Sequence, residues 1–373
     1  MKTTQKAQTQ TMHYDVTLLF CVLFLVGIGI VMVYSASSAL ALKKFGSDTY
    51  FLKRQATFSL MGMIALVVCG HIPLGLYRKL AYPLLGIAIV LLLLVPFSHM
   101  GVAAGGAKRW LSIMGFSFQP SEIARQAMVI YLAYSMSKKQ AQIKEFSIGF
   151  LPHIIVLAIM TVLILMQPDF GSVVILAAVT WILLFVGGVR LRYLLSSVLA
   201  LLPLAYYVLI NADYRVRRIA SFLDPWQYPT EDGYQIVHSL MAFGTGGIWG
   251  TGIGRGYQKL FYLPEPHTDF IFSVIGEELG LFGILFIIAL YTLILWRGIC
   301  IARNSEDSFA TFMAIGITAA LLLQVCVNMG VTLGLLPTKG LTLPFLSYGG
   351  TSLLMNMASV GILMNIGARH AAR

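Results

Sequence analysis

Charge is what this chain has least of. Of its 373 residues only 11% are Asp, Glu, Lys or Arg, while 58% are hydrophobic. A soluble domain carries about 25% charged residues, so there is too little polar surface to cover a water-facing globule. Cysteine is also sparse. Cys21, Cys69, Cys300 and Cys326 each lie in or beside an apolar run and no CxxC pair occurs, which excludes zinc fingers and dithiol redox motifs and leaves reduced thiols packed as small hydrophobes. No Walker A sequence is present. Seven glycines fall between Gly244 and Gly256 without spelling GxGxxG, so nucleotide sites of those kinds are not indicated. No internal repeat is apparent, which weakens an inverted-repeat transporter reading.

What is present is a series of apolar runs near the ~20 residues that a spanning helix needs. Ten candidate spans fall near residues 16–36, 55–73, 80–97, 119–136, 149–167, 170–188, 193–212, 269–293, 308–331 and 347–368. The expected fold is an all-α polytopic membrane protein of about ten transmembrane helices. A short N-terminal tail (1–15) and C-terminal tail (369–373) flank a membrane domain over 16–368, with one large extracytoplasmic loop at 213–268 between spans 7 and 8. The first apolar run is longer than the core of a signal peptide and more spans follow it, so it reads as an uncleaved span. Ten spans place both termini on one side. Lys and Arg are divided almost equally between the two sides, but they are denser in the short loops, which makes the terminal side cytoplasmic.

The net charge of +11 fits loops at an anionic lipid surface and calls for no nucleic-acid partner. On that topology the outer face carries Lys108, Arg109, Arg215, Arg217, Arg218, Arg255, Lys259 and Lys339, where orientation gives no reason for positive charge. An anionic ligand outside would give one.

Ionisable groups at or in a membrane are costly and are candidates for function. Asp269, in the run Pro266 to Phe270, is expected to open the eighth span at the outer surface. The helix dipole would favour its ionised form there, or Thr268 or Asp269 would serve simply as an N-cap. At 100° per residue, Gly276, Gly280 and Gly283 lie beneath Asp269 and suggest a smooth channel for a neighbouring helix or a lipid tail. Glu277 and Glu278 require partners or water. In the fourth span Ser121, Glu122 and Arg125 follow Pro120. Glu122 and Arg125 are three apart and share a face, as a structural ion pair or as an arginine held for phosphate. Lys108, Arg109 and Trp110 suit either an interfacial anchor or a pyrophosphate and a sugar ring. Residues 234–243 are expected to form a short amphipathic helix bearing Gln235, His238 and Ser239. Residues 337–340 and 347–350, with Lys339, Ser347 and Tyr348, form another polar outer loop. These residues, with His267, point to an enzyme or binder for an anionic lipid with a polar head, and by themselves leave glycosyl transfer and transport both open.

Residues 222–226 (FLDPW), 233–235 (GYQ), 262–265 (YLPE) through Asp269, 276–280 (GEELG) and 336–350 (LPTKGLTLPFLSYGG) resemble the SEDS family (shape, elongation, division and sporulation) over nearly the whole chain. Residues 167–172 (QPDFGS), 108–110 (KRW) and 339–345 (KGLTLPF) are more similar to its division branch (FtsW-like) than to its elongation branch (RodA-like). The resemblance implies ten spans and a peptidoglycan glycosyltransferase that joins lipid II units outside the cytoplasmic membrane at the division septum. It also implies a class B penicillin-binding protein as transpeptidase partner, alongside other division proteins and membrane lipid. It carries the essential aspartate onto Asp269, and the loop tryptophan with its preceding basic residue onto Trp110 and Arg109. Arg125 departs from the lysine more usual there, and titrates far less readily. In that reading Asp269 is the general base, and Arg109, Arg125 or a divalent cation (Mg or Mn) neutralises the leaving pyrophosphate. A lipid II flippase using Glu122, Arg125, Asp169, Glu277 and Glu278, and a non-enzymatic scaffold for division proteins, are the alternatives.

Overall fold

The computed structural model describes residues 14–104, 107–113, 116–210, 217, 220–230, 233–260 and 262–371. The outer-loop cations Arg215 and Arg218, and tail residues 1–13 and 372–373, lie outside the described residues.

Each of the ten expected spans is occupied by a helix: α1 (Val16–Phe45), α2 (Tyr50–His71), α3 (Leu74–Phe97), α4 (Pro120–Lys138), α5 (Leu151–Leu165), α6 (Phe170–Val186), α7 (Leu191–Ile210), α9 (Ile271–Asn304), α10 (Ser308–Thr332) and α11 (Gly350–Ala371). Among the described residues seven segments are long and apolar enough to cross a membrane: α1, α2, α3, α9, α10, residues 350–368 of α11, and α5 together with the π-turn Phe146–Phe150 before it. The chain is thus a multi-pass, mainly helical membrane protein. Several helices exceed expectation in length, with α2 and α3 beginning at Tyr50 and Leu74, ahead of the expected 55 and 80. α1 continues to Phe45, and α9 runs on to Asn304. Capping sets several boundaries: Asp15 accepts from Leu18 N–H ahead of α1, Asp307 accepts from Phe309 N–H ahead of α10, and Gly46 closes α1 in the left-handed conformation.

The outward sides of the helices are apolar. Leu60, Ile64 and Val67 on α2 and Leu281, Phe282 and Leu285 on α9 are exposed, a surface that hydrocarbon solvates and water does not. Inside, α11 packs along α2, where small residues permit close approach: a side chain on Gly361 would strike the Leu66 carbonyl oxygen, and one on Gly62 would touch Met357. α10 packs against α4, α6 and α9, and most of its length is buried.

One feature differs from the all-helical outline. The α3–α4 connection forms a three-stranded antiparallel sheet, β1 (Gly101–Ala104), β2 (Ala107–Ile113) and β3 (Phe116–Phe118), in the order β1-β2-β3. The large loop also contains a helix, α8 (Tyr234–Gly246), at the expected amphipathic stretch, and α8 packs on α9.

The smooth glycine channel expected beneath Asp269 is not present. α9 breaks at Gly280, which has φ +66° and ψ −163°. The glycine-rich segment after α8 fills the break. Thr251 N–H donates to Glu277 O at 2.9 Å and Gly252 N–H to Glu278 O at 3.0 Å. In return, Leu281 N–H donates to Gly247 O at 3.0 Å. Backbone groups freed by the kink are satisfied by protein, as hydrocarbon surroundings require. Side chains on Gly246, Gly250 or Gly276 would collide with this packing.

Candidate functional site

The site is built where four connections meet at one end of the bundle: β2, the α5–α6 turn, the turn before α9 and the loop before α11. Asp269 does not open α9. The helix begins at Ile271 with Phe270 as its N-cap residue and without a side-chain cap, so neither Thr268 nor Asp269 caps it. Asp269 lies in the preceding turn, partly exposed, with its backbone carbonyl held by Asn328 Nδ2 at 2.9 Å. Asn328 also donates to Leu341 O at 2.6 Å, which ties the turn to the loop before α11. The expected dipole-favoured carboxylate is outweighed. Burial pushes the Asp269 carboxyl up to about 7, and the Glu265 carboxylate adds to the shift while the Arg109 guanidinium opposes it.

Arg109 reaches this carboxyl through a bulge. Trp110 pairs with Val102 and Lys108 with Ala103, so Arg109 is the extra residue of β2, and such an insertion redirects a side chain. Its Nε donates to Gln167 O at 3.2 Å and its Nη2 to Pro168 O at 2.6 Å. Gly340 lies between the guanidinium and the acid: a β-carbon there would sit 3.2 Å from Asp269 Oδ2 and 3.9 Å from Arg109 Nη1. Gly340 is exposed, so the pair borders open surface. Lys108 is exposed and Trp110 half-buried on the same strand. Lys339 Nζ lies 4.9 Å over the Phe170 ring, at the start of α6 beside Asp169.

Asp169 joins these elements. It caps α6 by accepting from Ser172 N–H at 3.2 Å, and its Oδ2 accepts from Ser172 Oγ at 2.7 Å, Gln119 Nε2 at 3.1 Å and Ser121 Oγ at 3.3 Å. Its charge acts on both Asp269 and Glu122. In sequence Asp169 is a candidate only for a flippase path and as part of the 167–172 motif, Gly340 only as part of a polar loop and a family motif, and Asn328 carries no local signal of function. Beside Ser121 in α4, Glu122 is paired with Arg125 about one turn further on, which also donates to Asn356 Oδ1 at 3.3 Å. Arg125 is therefore engaged by two acceptors within the bundle.

A second cluster backs the turn. Ser347 Oγ donates to Thr268 O at 2.6 Å and accepts from Leu343 N–H at 2.7 Å, and Tyr348 N–H donates to His267 O at 2.8 Å. The His267 ring is buried between Phe51 and Tyr348, and burial lowers its pKa to about 4, so it is neutral. These residues hold the Asp269 turn in place.

Other expected site residues are elsewhere. Ser239 is buried between Ser273 Oγ and Thr332 O, each at 2.5 Å, and serves α8 packing. His238 is held by Gln258 at 2.8 Å beside Tyr234 and Tyr262, with Gln235 half-buried on the same helix. Glu277, expected to contact ligand, is fully buried: its carboxylate accepts from Tyr257 N–H at 2.7 Å and Gln258 N–H at 3.2 Å. Glu278 accepts from Ser35 Oγ at 2.8 Å and Gly254 N–H at 3.0 Å and pairs with buried Lys259. The two acids thus bind the glycine-rich segment to α9 and α1, and Lys259 is removed from the outer cations available to a ligand.

Comparison with known proteins places this arrangement. The chain is 48% identical over 357 residues, 96% of its length and 95% of the relative's, to a Geobacter metallireducens protein named "Probable peptidoglycan glycosyltransferase FtsW". It is 40% identical over 354 residues, 94% of this chain and 96% of the relative, to stage V sporulation protein E of Bacillus subtilis. A solved structure titled "Structural coordination of polymerization and crosslinking by a peptidoglycan synthase complex" superposes with a TM-score of 0.80 at 29% identity, covering 96% of this chain and 99% of that one. The FtsW/RodA/SpoVE family model, described as "Cell cycle protein", matches residues 16–372, and the chain belongs to that family.

Proposed function

We propose that this chain is a peptidoglycan glycosyltransferase that polymerises lipid II at the outer face of the cytoplasmic membrane during septal wall synthesis, with Asp269 as general base. One observation carries the reading: a carboxyl held near neutrality borders an open surface beside a guanidinium, at the end of the bundle where the large loop emerges. The resemblance of full-length relatives named FtsW supports the substrate class and the division role. The likeness to a synthase complex that couples polymerisation with crosslinking supports a class B penicillin-binding protein as partner.

In the reaction, an acceptor sugar hydroxyl attacks the anomeric carbon of the donor. The new C–O bond forms as the bond to the lipid pyrophosphate breaks. Asp269 takes the hydroxyl proton, and the pyrophosphate leaves with the bonding electrons. A base near pH 7 both exists in its ionised form and accepts a proton readily. Arg109, pre-aligned by two backbone carbonyls, is a cation whose charge acts on the base, and Lys339 and Lys108 add positive charge on the adjoining loop and strand. Trp110 offers a face for a sugar ring. Arg125, paired with Glu122 and bonded to Asn356, is a cation within the bundle beneath the site. A divalent cation, Mg or Mn, fits the donor set in part. Asp269 is a partly exposed residue at the rim, whereas Asp169 has its oxygens engaged, and among the described residues no group of three or more His, Cys, Asp or Glu that could hold a metal is present. Such an ion would supply charge neutralisation at the diphosphate.

The test is purified chain with its cognate penicillin-binding protein and lipid II, with polymer read by gel. Wild-type protein forms glycan and Asp269→Ala does not, while remaining folded. Polymer at the wild-type rate from Asp269→Ala would remove the base assignment. Absence of polymer from the wild-type pair, with movement of lipid II across vesicles, would favour a flippase, and absence of both a scaffold.

A further inference from the structure

Three successive backbone carbonyls of the turn before α9 are each held from outside that turn. The His267 carbonyl accepts from Tyr348 N–H, the Thr268 carbonyl from Ser347 Oγ and the Asp269 carbonyl from Asn328 Nδ2. The first two donors belong to the loop before α11. The third is a side chain of α10, and it acts on the reactive residue itself. We infer that Asn328 is a positioning residue for glycosyl transfer: its single amide joins the two chain segments that flank the Asp269 carboxyl, and so fixes where that carboxyl meets the acceptor hydroxyl. The inference rests on Asp269 as the base and adds the group that sets the base in place.

Asn328 is buried, and its Nδ2 donates to two carbonyl oxygens, Asp269 O at 2.9 Å and Leu341 O at 2.6 Å. The opposite amide orientation would set Oδ1 against two acceptors, so these bonds fix which way the group points. Among the described residues Oδ1 has no hydrogen-bond partner. A buried acceptor without a donor is destabilising, and an apolar side chain would avoid it; what the amide supplies in return is the bridge. Leu341 follows Gly340, where a β-carbon would lie 3.2 Å from Asp269 Oδ2, so the bridge sets the spacing between the carboxyl and the loop that carries Lys339 and Gly340. Leu341 also packs on Gly171, where a β-carbon would lie 2.9 Å from its Cγ, so the same clamp reaches the start of α6. About one turn earlier on α10, the buried Gln324 amide donates to Thr342 and Ser352 instead. α10 carries no charged residue. A change at 328 therefore alters the hold on the turn without altering the charges around the carboxyl, those of Glu265, Arg109 and Asp169, with Lys339 on the adjoining loop.

The experiment is steady-state polymerisation of lipid II by the full chain with its cognate penicillin-binding protein, for wild type, Asn328→Leu, Gln324→Leu and Asp269→Asn. Asn328→Leu branches at the same carbon and cannot donate. It is expected to lower kcat by about 10²-fold, the loss that a misplacement of about 1 Å produces, with KM for lipid II unchanged. The pH–rate limb should also move to lower pH, because a loosened turn admits water to a carboxyl whose pKa is raised chiefly by burial. Gln324→Leu removes a buried amide from the same helix. It should lower the melting temperature comparably and leave kcat and the limb near wild type. Asn328→Ala, which also lacks a donor and adds no bulk, serves with the same expectation if Asn328→Leu does not fold. Equal kcat losses from Asn328→Leu and Gln324→Leu, a raised KM in place of a lowered kcat, or wild-type turnover without the Asn328 amide overturns the inference. An inactive Asp269→Asn beside any of these results leaves the base assignment standing, whereas a fully active one removes both.

Discussion

At the residue scale, Asp269 is governed by three neighbours that act with known signs. Burial and the Glu265 carboxylate raise its pKa and Arg109 lowers it, and the balance falls at about 7. As a base it works only when ionised, so the polymerisation rate should rise with pH along a limb centred near 7. Glu265→Gln removes a repelling anion and should move that limb to lower pH. Arg109→Gln removes an attracting cation and should move it to higher pH. A pH–rate series on lipid II checks both signs, and shifts in one common direction would show that the limb belongs to another group. Asp269→Asn, similar in shape and unable to accept the proton, should cost about 10²–10⁴-fold in rate, measured by single-turnover polymer formation. Of the rim residues, Lys108, Arg109, Trp110 and Asp269 were legible as chemistry in the sequence. Asp169 was legible only through its motif and as one group of a conceivable polar path, because two of its four hydrogen bonds come from Gln119 and Ser121 at the start of α4, far away in the chain.

At the element scale, the broken helix α9 and the segment wedged into it form one unit. Gly280 has a backbone conformation that L side chains rarely adopt, and a β-carbon there would lie 2.3 Å from Gly250 N. Gly280→Ala should therefore cost more than the ~1–3 kcal/mol of the backbone strain alone, read as a lowered melting temperature in detergent. The buried Lys259–Glu278 pair, shared with Ser35 of α1, anchors the same segment. Removing either partner alone leaves an uncompensated buried charge at a cost of about 3–5 kcal/mol. The double change Lys259→Met, Glu278→Leu should recover much of that loss, and a double-mutant cycle on thermal stability measures the coupling. Additive losses would mean that the pair does not act as a unit. The GxxxG spacing at Gly276 and Gly280 correctly signals close packing. What packs there is the re-entrant backbone of the same loop, because a kinked helix in a membrane must have its exposed amides satisfied nearby.

At the scale of the whole molecule, the proposed orientation places the large loop and Asp269 outside and the α9–α10 turn inside. In a cysteine-free background, Trp226→Cys should react with a membrane-impermeant maleimide on intact cells, and Ser305→Cys only after permeabilisation. The reverse pattern would invert the topology and put Asp269 on the wrong side for extracytoplasmic polymerisation. The same geometry separates two tasks: the outer end gathers connections into a polar site, and the other end closes on ion pairs such as Arg78–Asp307 and Arg297–Asp15.

The number and rough limits of the spans, and the family, were determined by the sequence alone, because apolar length and long ordered motifs are local properties that survive without coordinates. The positions of the outer connections relative to one another were decided only by tertiary structure. A bulge turned Arg109 toward Asp269 and away from the register of its strand, while a kink converted a helix face into a socket for a loop. Burial made an acid that sequence would leave ionised into a base poised near neutrality. Each is a contact between residues far apart in the chain, and periodicity within a single element holds no information about it.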